Sequence, residues 1–167
     1  MFLMPFTAAV IIRTIYELLK KSGRIDPKNK IIFALIFADM CILWIFWFVA
    51  APMNPKHFGL SPAFRYLGLG AVILGTVLAV GSLIQLRGLE NITHLVTRGL
   101  FARLRHPMYT GFILWILGWS LYYDAAVSFF TGLFGIANIL YWRHLEERHL
   151  ERTFGGPYRQ YKKQTWF

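Results

Sequence analysis

The stretch that decides the fold is Tyr66-Leu67-Gly68-Leu69-Gly70-Ala71-Val72-Ile73-Leu74-Gly75-Thr76-Val77-Leu78-Ala79-Val80-Gly81-Ser82-Leu83-Ile84-Gln85-Leu86, 21 residues without a charge. A run of this length meets the roughly 20-residue requirement for a membrane-spanning helix. Just upstream, residues 31–50 form a second run of 20, broken only by Asp39. Residues 2–19 make a weaker span, apolar as far as Ile12 and then carrying Arg13 and Glu17 at i,i+4 spacing. That spacing predicts an ion pair near the interface, with Arg13 snorkelling outward. Neither a basic n-region nor a small-residue cleavage site marks it as a signal peptide. Downstream, residues 108–123 and 125–142 are separated only by Asp124, which predicts an antiparallel helical hairpin. Its first arm would span only about 24 Å at 1.5 Å per residue and is partly re-entrant in this reading.

The composition agrees. Of 167 residues, 56% are hydrophobic and 17% aromatic, while only 16% are charged; the mean hydropathy is +0.47. Soluble chains carry about a quarter charged residues. The net charge is nevertheless +10, with a pI of about 10.1. High hydrophobicity excludes a disordered tail, and the lack of an otherwise polar surface excludes a nucleic-acid module. The lone Cys41 excludes a disulfide framework and a CxxC metal site.

The positive charges are unevenly placed. Residues 13–30 hold six of the 18 Lys and Arg, residues 87–105 four and residues 143–167 six, against two in the Pro-rich segment 51–65. The positive-inside rule then predicts an all-α polytopic membrane protein of about five transmembrane segments, with the N-terminus outside. The C-terminal helical segment is cytoplasmic in this reading. All 167 residues read as one domain, with a three-span part over 1–86 and a loop, hairpin and C-terminal segment over 87–167. Ala71, Gly75 and Ala79 form a small-residue stripe on which another helix can pack closely, within the chain or in a homodimer. Asp39 is an ionisable group at membrane depth, a functional candidate by default; its plainer reading is a protonated or hydrogen-bonded residue of the bundle interior. Asn91-Ile92-Thr93 is a formal glycosylation sequon, without consequence on a cytoplasmic segment.

Two polar clusters abut the hairpin on the inner side. One is Leu95-Val96-Thr97-Arg98-Gly99-Leu100-Phe101-Ala102-Arg103-Leu104-Arg105-His106-Pro107-Met108-Tyr109-Thr110-Gly111. Pro107, with fixed φ and no N–H, suits the first turn of a helix. Arg105 and His106 then stand at a helix N-terminus, which favours a carboxylate or phosphate. A positive-inside flank explains the arginines alone, but not the His-Pro-x-Tyr-x-Gly string. The second cluster is Arg143-His144-Leu145-Glu146-Glu147-Arg148-His149-Leu150, then Phe154-Gly155, Tyr158 and Tyr161. Arg143 shares a helical face with Glu146 and Glu147. His144 and His149 fit neither the HExxH nor the HxxEH spacing, so no metal site is expected. Neither a P-loop, a Rossmann fingerprint nor a G-x-S-x-G elbow is present. Together the clusters predict a pocket for a small molecule that carries both signs of charge.

The ordered pair Leu95-Val96-Thr97-x-Gly99-x-Phe101 with Arg105-His106-Pro107-Met108-Tyr109-x-Gly111, then Glu146-Glu147-x-x-Leu150 with Phe154-Gly155-x-x-Tyr158-x-x-Tyr161, resembles the isoprenylcysteine carboxyl methyltransferase family. That group extends to prokaryotic membrane methyltransferases and, more distantly, to phospholipid N-methyltransferases. The resemblance implies S-adenosylmethionine (SAM) as methyl donor, held between the hairpin and the C-terminal segment. Family cofactor contacts fall on His94, Leu95, Val96, Phe101, His106, Pro107, Met108, Tyr109 and Glu146. Arg105 and His106 would meet the methionyl carboxylate, Glu146 the amino group or ribose, and Phe101 and Tyr109 the sulfonium through a cation–π contact. Arg143, Glu147 and Arg105 are the implied catalytic residues. Two positions depart from the family pattern. Its substrate-binding Arg column holds Trp142 here, with Arg143 adjacent, and residues 87–93 form a shorter connection than usual.

The implied reaction is methyl transfer to a lipophilic or lipidated acceptor that enters from the bilayer among membrane lipids, driven mainly by positioning and exclusion of water. A prenylcysteine carboxylate is one such acceptor; an amine acceptor would need Glu147 or a His as base. Two other readings stand beside this one. One is an NADPH-dependent sterol or enone reductase, and the other a non-catalytic membrane scaffold or transporter subunit.

Overall fold

The computed structural model describes residues 4–26, 29–86 and 94–167. Among them are six α-helices and two short 3-10 turns, with two isolated bridge contacts in place of any sheet. The helices are α1 (Met4–Lys21), α2 (Lys30–Ala50), α3 (Pro62–Leu86), α4 (Pro107–Tyr122), α5 (Ala126–Phe154) and α6 (Gly156–Gln164). Asn29 caps α2, its side chain accepting from Ile31 N at 2.9 Å and Ile32 N at 3.4 Å. Pro107 opens α4. Helix α5 runs 12 residues past Trp142, because the charge at Arg143 does not break a helix; Gly155, at φ 55°, does.

Two helical segments, Lys30–Met53 and Pro62–Leu86, are long and apolar enough to cross a membrane by length and composition. The expected five segments are therefore matched only in part: α1 carries Arg13, Glu17, Lys20 and Lys21, α4 has 16 residues, and α5 continues into charged sequence. Large apolar side chains cover the outside of the bundle. Ile31 is 71% exposed, Leu35 65%, Ile73 60% and Ile84 72%. Such a surface belongs in lipid, not water.

The stripe of small residues on α3 is filled by α4. A Cβ built on Gly75 would lie 2.8 Å from the Gly111 carbonyl, and one on Gly68 2.6 Å from the Gly118 carbonyl. Ala71 and Ala79 flank the same seam, facing Gly118 and Gly111. Close backbone approach of this kind is how helices gain packing where lipid offers no hydrophobic drive. An adjoining face of α4 meets α2 through long aromatics instead. Trp44 lies 4.7 Å from Phe112 and 4.9 Å from Trp115, and Phe48 5.1 Å from Trp119. Phe6, Val10, Trp47, Ile116 and Ile139 close the core where α1, α2, α4 and α5 converge.

At one end of the bundle the α4–α5 turn is locked to the segment before α3. The Asp124 carboxylate, with backbone φ of 55°, accepts from Phe58 N (3.1 Å), Gly59 N (3.0 Å) and Leu60 N (3.3 Å). Arg65 adds a bond to the Tyr122 carbonyl at 3.0 Å. The basic segments gather at the other end, around a large cavity.

Candidate functional site

The cavity has a volume of about 580 Å³ and is bounded by α1 and α2 on one side and α3, α4 and α5 on the other. That is within the range of small-molecule sites. Its wall contains Phe101, Arg105, His106, Pro107, Met108, Tyr109 and Glu146, so most of the residues expected from the sequence meet in one space. Each is placed by a simple device. A 3-10 turn, Gly99–Ala102, buries Phe101, whose carbonyl accepts from the Tyr161 hydroxyl at 2.6 Å. Burial pushes that hydroxyl up to about 12, so it remains a donor. Pro107 starts α4 so that the N–H groups of Met108 and Tyr109 fall in the first turn, where no intrahelical acceptor reaches them.

His106 is buried, its ring 5.6 Å from that of Tyr109 and nearly parallel to it. His106 Nδ1 lies 3.9 Å from Glu146 and Nε2 lies 3.4 Å from Glu147. The second approach is off the direction of a hydrogen bond, and Nε2 is buried without a hydrogen-bond partner among the described residues. Glu147 is the anchor of a charged network. Its carboxylate accepts from Arg105 Nε at 3.1 Å and from Lys162 Nζ at 3.0 Å. His106, Lys162 and Arg105, acting against the cost of burial, hold the Glu147 carboxyl well below the usual carboxylate range.

Arg105 also donates to the carbonyls of Thr165 (2.5 Å) and Lys162 (3.2 Å), while its own N–H and that of His106 bond the Phe167 carbonyl at 3.0 and 3.1 Å. The C-terminal segment is thereby tied under α4. Tyr158 is fully buried beside this network, where desolvation first and the charge of Glu147 second raise its hydroxyl far above the ordinary tyrosine value.

Several sequence expectations are placed differently. His94, Leu95 and Val96 do not contribute to the cavity wall. Nor do Glu147, which acts behind His106 and Arg105, and Arg143. The side chain of Arg143 stacks on Phe167 at 4.3 Å, and its Nε is buried without a partner among the described residues. Although it shares a helical face with Glu146 and Glu147, Glu147 is taken by Arg105, which stands just before α4, and by Lys162 of α6, while Glu146 lies 3.9 Å from His106 Nδ1. Arg13 corrects a second expectation. It pairs with Glu17 at 2.5 Å as predicted, but it turns into the cavity instead of outward, 5.0 Å from the Tyr16 ring and 5.9 Å from the Trp142 ring. Sequence reasoning missed both residues as part of the site. Asp39 Oδ2 is buried without a hydrogen-bond partner among the described residues, within electrostatic reach of Arg13. The described residues hold no cluster of three or more His, Cys, Asp or Glu suited to a metal. The short connection over 87–93 and the sequon lie outside the described residues.

The sequence pattern of one family, described as phospholipid methyltransferase, matches residues 63–156, from the start of α3 through the end of α5. The chain belongs to the phospholipid methyltransferase family. Curated relatives agree with the resemblance read from the motifs. The chain is 33% identical over 112 residues to a protein-S-isoprenylcysteine O-methyltransferase of Schizosaccharomyces pombe, covering 58% of this chain and 45% of that one. It is 26% identical over 150 residues to protein-S-isoprenylcysteine O-methyltransferase B of Arabidopsis thaliana, covering 80% and 71%. A very-long-chain enoyl-CoA reductase of Dictyostelium discoideum is 31% identical over 128 residues, covering 74% and 41%. The chain thus spans less than half the length of two of these three relatives. No solved structure matches. For this phospholipid methyltransferase family member, the matched region supplies every cavity residue from the expected motifs.

Proposed function

We propose that this chain is an integral membrane methyltransferase that uses SAM and acts on a lipophilic acceptor. The observation that carries the reading is the cavity end formed by Phe101, Arg105, the α4 N-terminus and Glu146. It offers a positive helix terminus with two unbonded N–H groups, a carboxylate, and aromatic faces in one space. Among the described residues Nε1 of Trp44, on the cavity wall, is buried without a hydrogen-bond partner, as expected of a site built to receive a polar group. When bound, SAM supplies a methyl group already activated by its sulfonium. The residues here hold and orient. Met108 N–H, Tyr109 N–H and Arg105 suit a carboxylate, Glu146 suits an ammonium or hydroxyls, and the rings of Phe101 and Tyr109 suit a cation. Glu147 positions His106 and Arg105 from behind.

In this reading α1 to α5 cross the bilayer, with the Asp124 end outside and the cavity mouth at the cytoplasmic surface. Support comes from the apolar outer surface and from Lys20, Lys21, Arg148 and Arg152, which all line that mouth. Acceptor candidates from the relatives' names are an isoprenylcysteine carboxylate and a phospholipid. The enoyl-CoA reductase relative keeps a reductase as the second reading.

Labelled SAM binding to the detergent-purified chain is the test, with NADPH in a parallel arm. His106→Ala and Glu146→Gln should each abolish SAM binding, whereas Arg143→Ala, which alters no cavity residue, should leave it intact. Unchanged binding in both of the first two variants overturns the site assignment, and protection by NADPH alone favours the reductase.

A further inference from the structure

The part of the cavity bounded by α1 and α2 is not used by the cofactor residues. Its wall is apolar where Phe33, Ile36, Phe37 and Met40 contribute, and strongly basic where it meets the cavity mouth. Six Lys and Arg line the cavity against two Glu. Six against two leaves the wall with a surplus of cations. A ligand that fits such a space has an acidic head group and a long apolar tail.

Arg13 is the cation best built to receive the head group. Its side chain is 16% exposed and is oriented by the rings of Tyr16 and Trp142. Trp142 is itself fixed by a bond from Nε1 to Thr14 Oγ1 at 2.9 Å. A planar guanidinium held by packing loses little freedom when it binds an anion, and it can grip a carboxylate or phosphate through two parallel N–H bonds. Glu17 occupies that grip at 2.5 Å. Both residues line the cavity, and Glu17 stands three and four positions before Lys20 and Lys21 on the same wall, so the carboxylate that an acidic head group displaces has cations within reach.

We propose that Arg13 anchors the anionic head group of the methyl acceptor, a carboxylate or phosphate on a long apolar tail, and that Glu17 is the internal carboxylate it displaces. The proposal rests on the methyltransferase reading for the word acceptor, but the binding site it assigns can be tested apart from SAM.

The chain is placed in neutral phosphatidylcholine nanodiscs at a pH well above the carboxyl titration range. Quenching of Trp44, Trp115 and Trp142, which line the cavity, is followed with stearate spin-labelled near its head group and, in parallel, with its methyl ester. The acid should quench at a concentration at least about tenfold lower than the ester, as a charge-assisted contact in a partly buried site implies. Arg13→Gln should bring the two within about twofold, Arg13→Lys should keep most of the preference, and Glu17→Gln should increase it. A monoacyl glycerophosphate that displaces the acid probe assigns the site to phosphate; failure to displace it assigns it to carboxylate. An unchanged acid-to-ester ratio in Arg13→Gln, or a stearylamine analogue that outcompetes the acid, overturns the proposal. Labelled SAM binding in the same samples separates the two readings. No SAM binding by the unsubstituted chain defeats the methyltransferase reading and leaves the anion site standing, whereas SAM binding lost only in Arg13→Gln moves Arg13 to the cofactor end and overturns the proposal.

Discussion

Replacing Glu147 by Gln removes the charge on which Arg105 and Lys162 converge, beside His106, while leaving the side chain's shape. The Glu147 carboxylate is 10% exposed, with Arg105 at 3.1 Å, Lys162 at 3.0 Å and His106 at 3.4 Å. Breaking a buried ion pair from one side costs about 3–5 kcal/mol. The figure falls here for two reasons. Arg105 keeps the carbonyls of Thr165 and Lys162 as acceptors, and the Lys162 side chain is 42% exposed, so its share is small. A loss of about 2 kcal/mol at neutral pH is expected, or a Tm lower by about 4–8 °C for a chain of this size.

The pH dependence is what distinguishes this from a packing defect. Glu147 is held well below the usual carboxylate range when folded, chiefly by His106 and then by Lys162 and Arg105. In the unfolded chain it returns to about 4.3. Its contribution is therefore complete above about pH 5 and declines as the pH falls through and below the unfolded value, by at most about 1.4 kcal/mol per unit. Thermal unfolding in mild detergent, followed by tryptophan fluorescence, should show a Tm gap between the two proteins at neutral pH that is still present at about pH 5.5. Below about pH 4.3 the gap should close. A gap that persists unchanged at about pH 3.5, or none at neutral pH, refutes the network as described.

The α3–α4 seam should tolerate no added bulk. Gly111→Val, whose Cβ would meet the Gly75 carbonyl and Ala79, is expected to cost about 1–3 kcal/mol or more in thermal unfolding, while Gly70→Ala, which meets nothing within 4 Å, should be neutral or stabilising by up to about 1 kcal/mol. Asp124→Ala strips the acceptor from three backbone N–H groups and should cost about 1–3 kcal/mol. Limited proteolysis should then cut within residues 54–61 sooner than in the unsubstituted chain, with SAM binding unaffected because the site is at the opposite end.

The helices were legible because composition and periodicity are local. The run at 31–50 became Lys30–Ala50, and Asp124 marked the hairpin turn. The end of α5 was misjudged: the charges from Arg143 onward signal where apolar sequence stops, whereas the helix stops where Gly155 takes a positive φ. The placing of His106 and Tyr109 on the cavity wall was legible for a similar reason, since Pro107 opens α4 whatever surrounds it. The acidic pair was harder. Spacing alone favours Arg143 as partner of Glu146 and Glu147, but Arg105 and Lys162 reach Glu147 from 42 and 15 positions away in the chain. Arg13 could not be read at all, because the direction of an arginine near a helix end depends on whether aromatic rings wait on the inner side, here Tyr16 and Trp142.

The cavity itself follows from a contrast in side-chain size on the two faces of α4. Toward α3, Gly111 and Gly118 bring backbones into contact; toward α2, Phe112, Trp115 and Trp119 hold the next helix at ring distance. Rings make a spacer with gaps where glycines make a seam without them. At the Asp124 end the gap is filled, with Trp119 Nε1 bonded to the Phe48 carbonyl at 2.9 Å. Toward the basic end the ring contacts between α2 and α4 give way after Trp44, and the space is lined instead by Phe33, Phe37 and Met40 from α2 and by Arg13 and Glu17 from α1. Under the proposed function the tight α3–α4 pair is the fixed wall beside the proposed cofactor residues, and the α1–α2 pair the wall against which a lipid-borne acceptor would be held. Enlarging a ring at the filled end should leave SAM binding unchanged. Shrinking Trp44, where the two walls part, should widen the range of acceptors admitted.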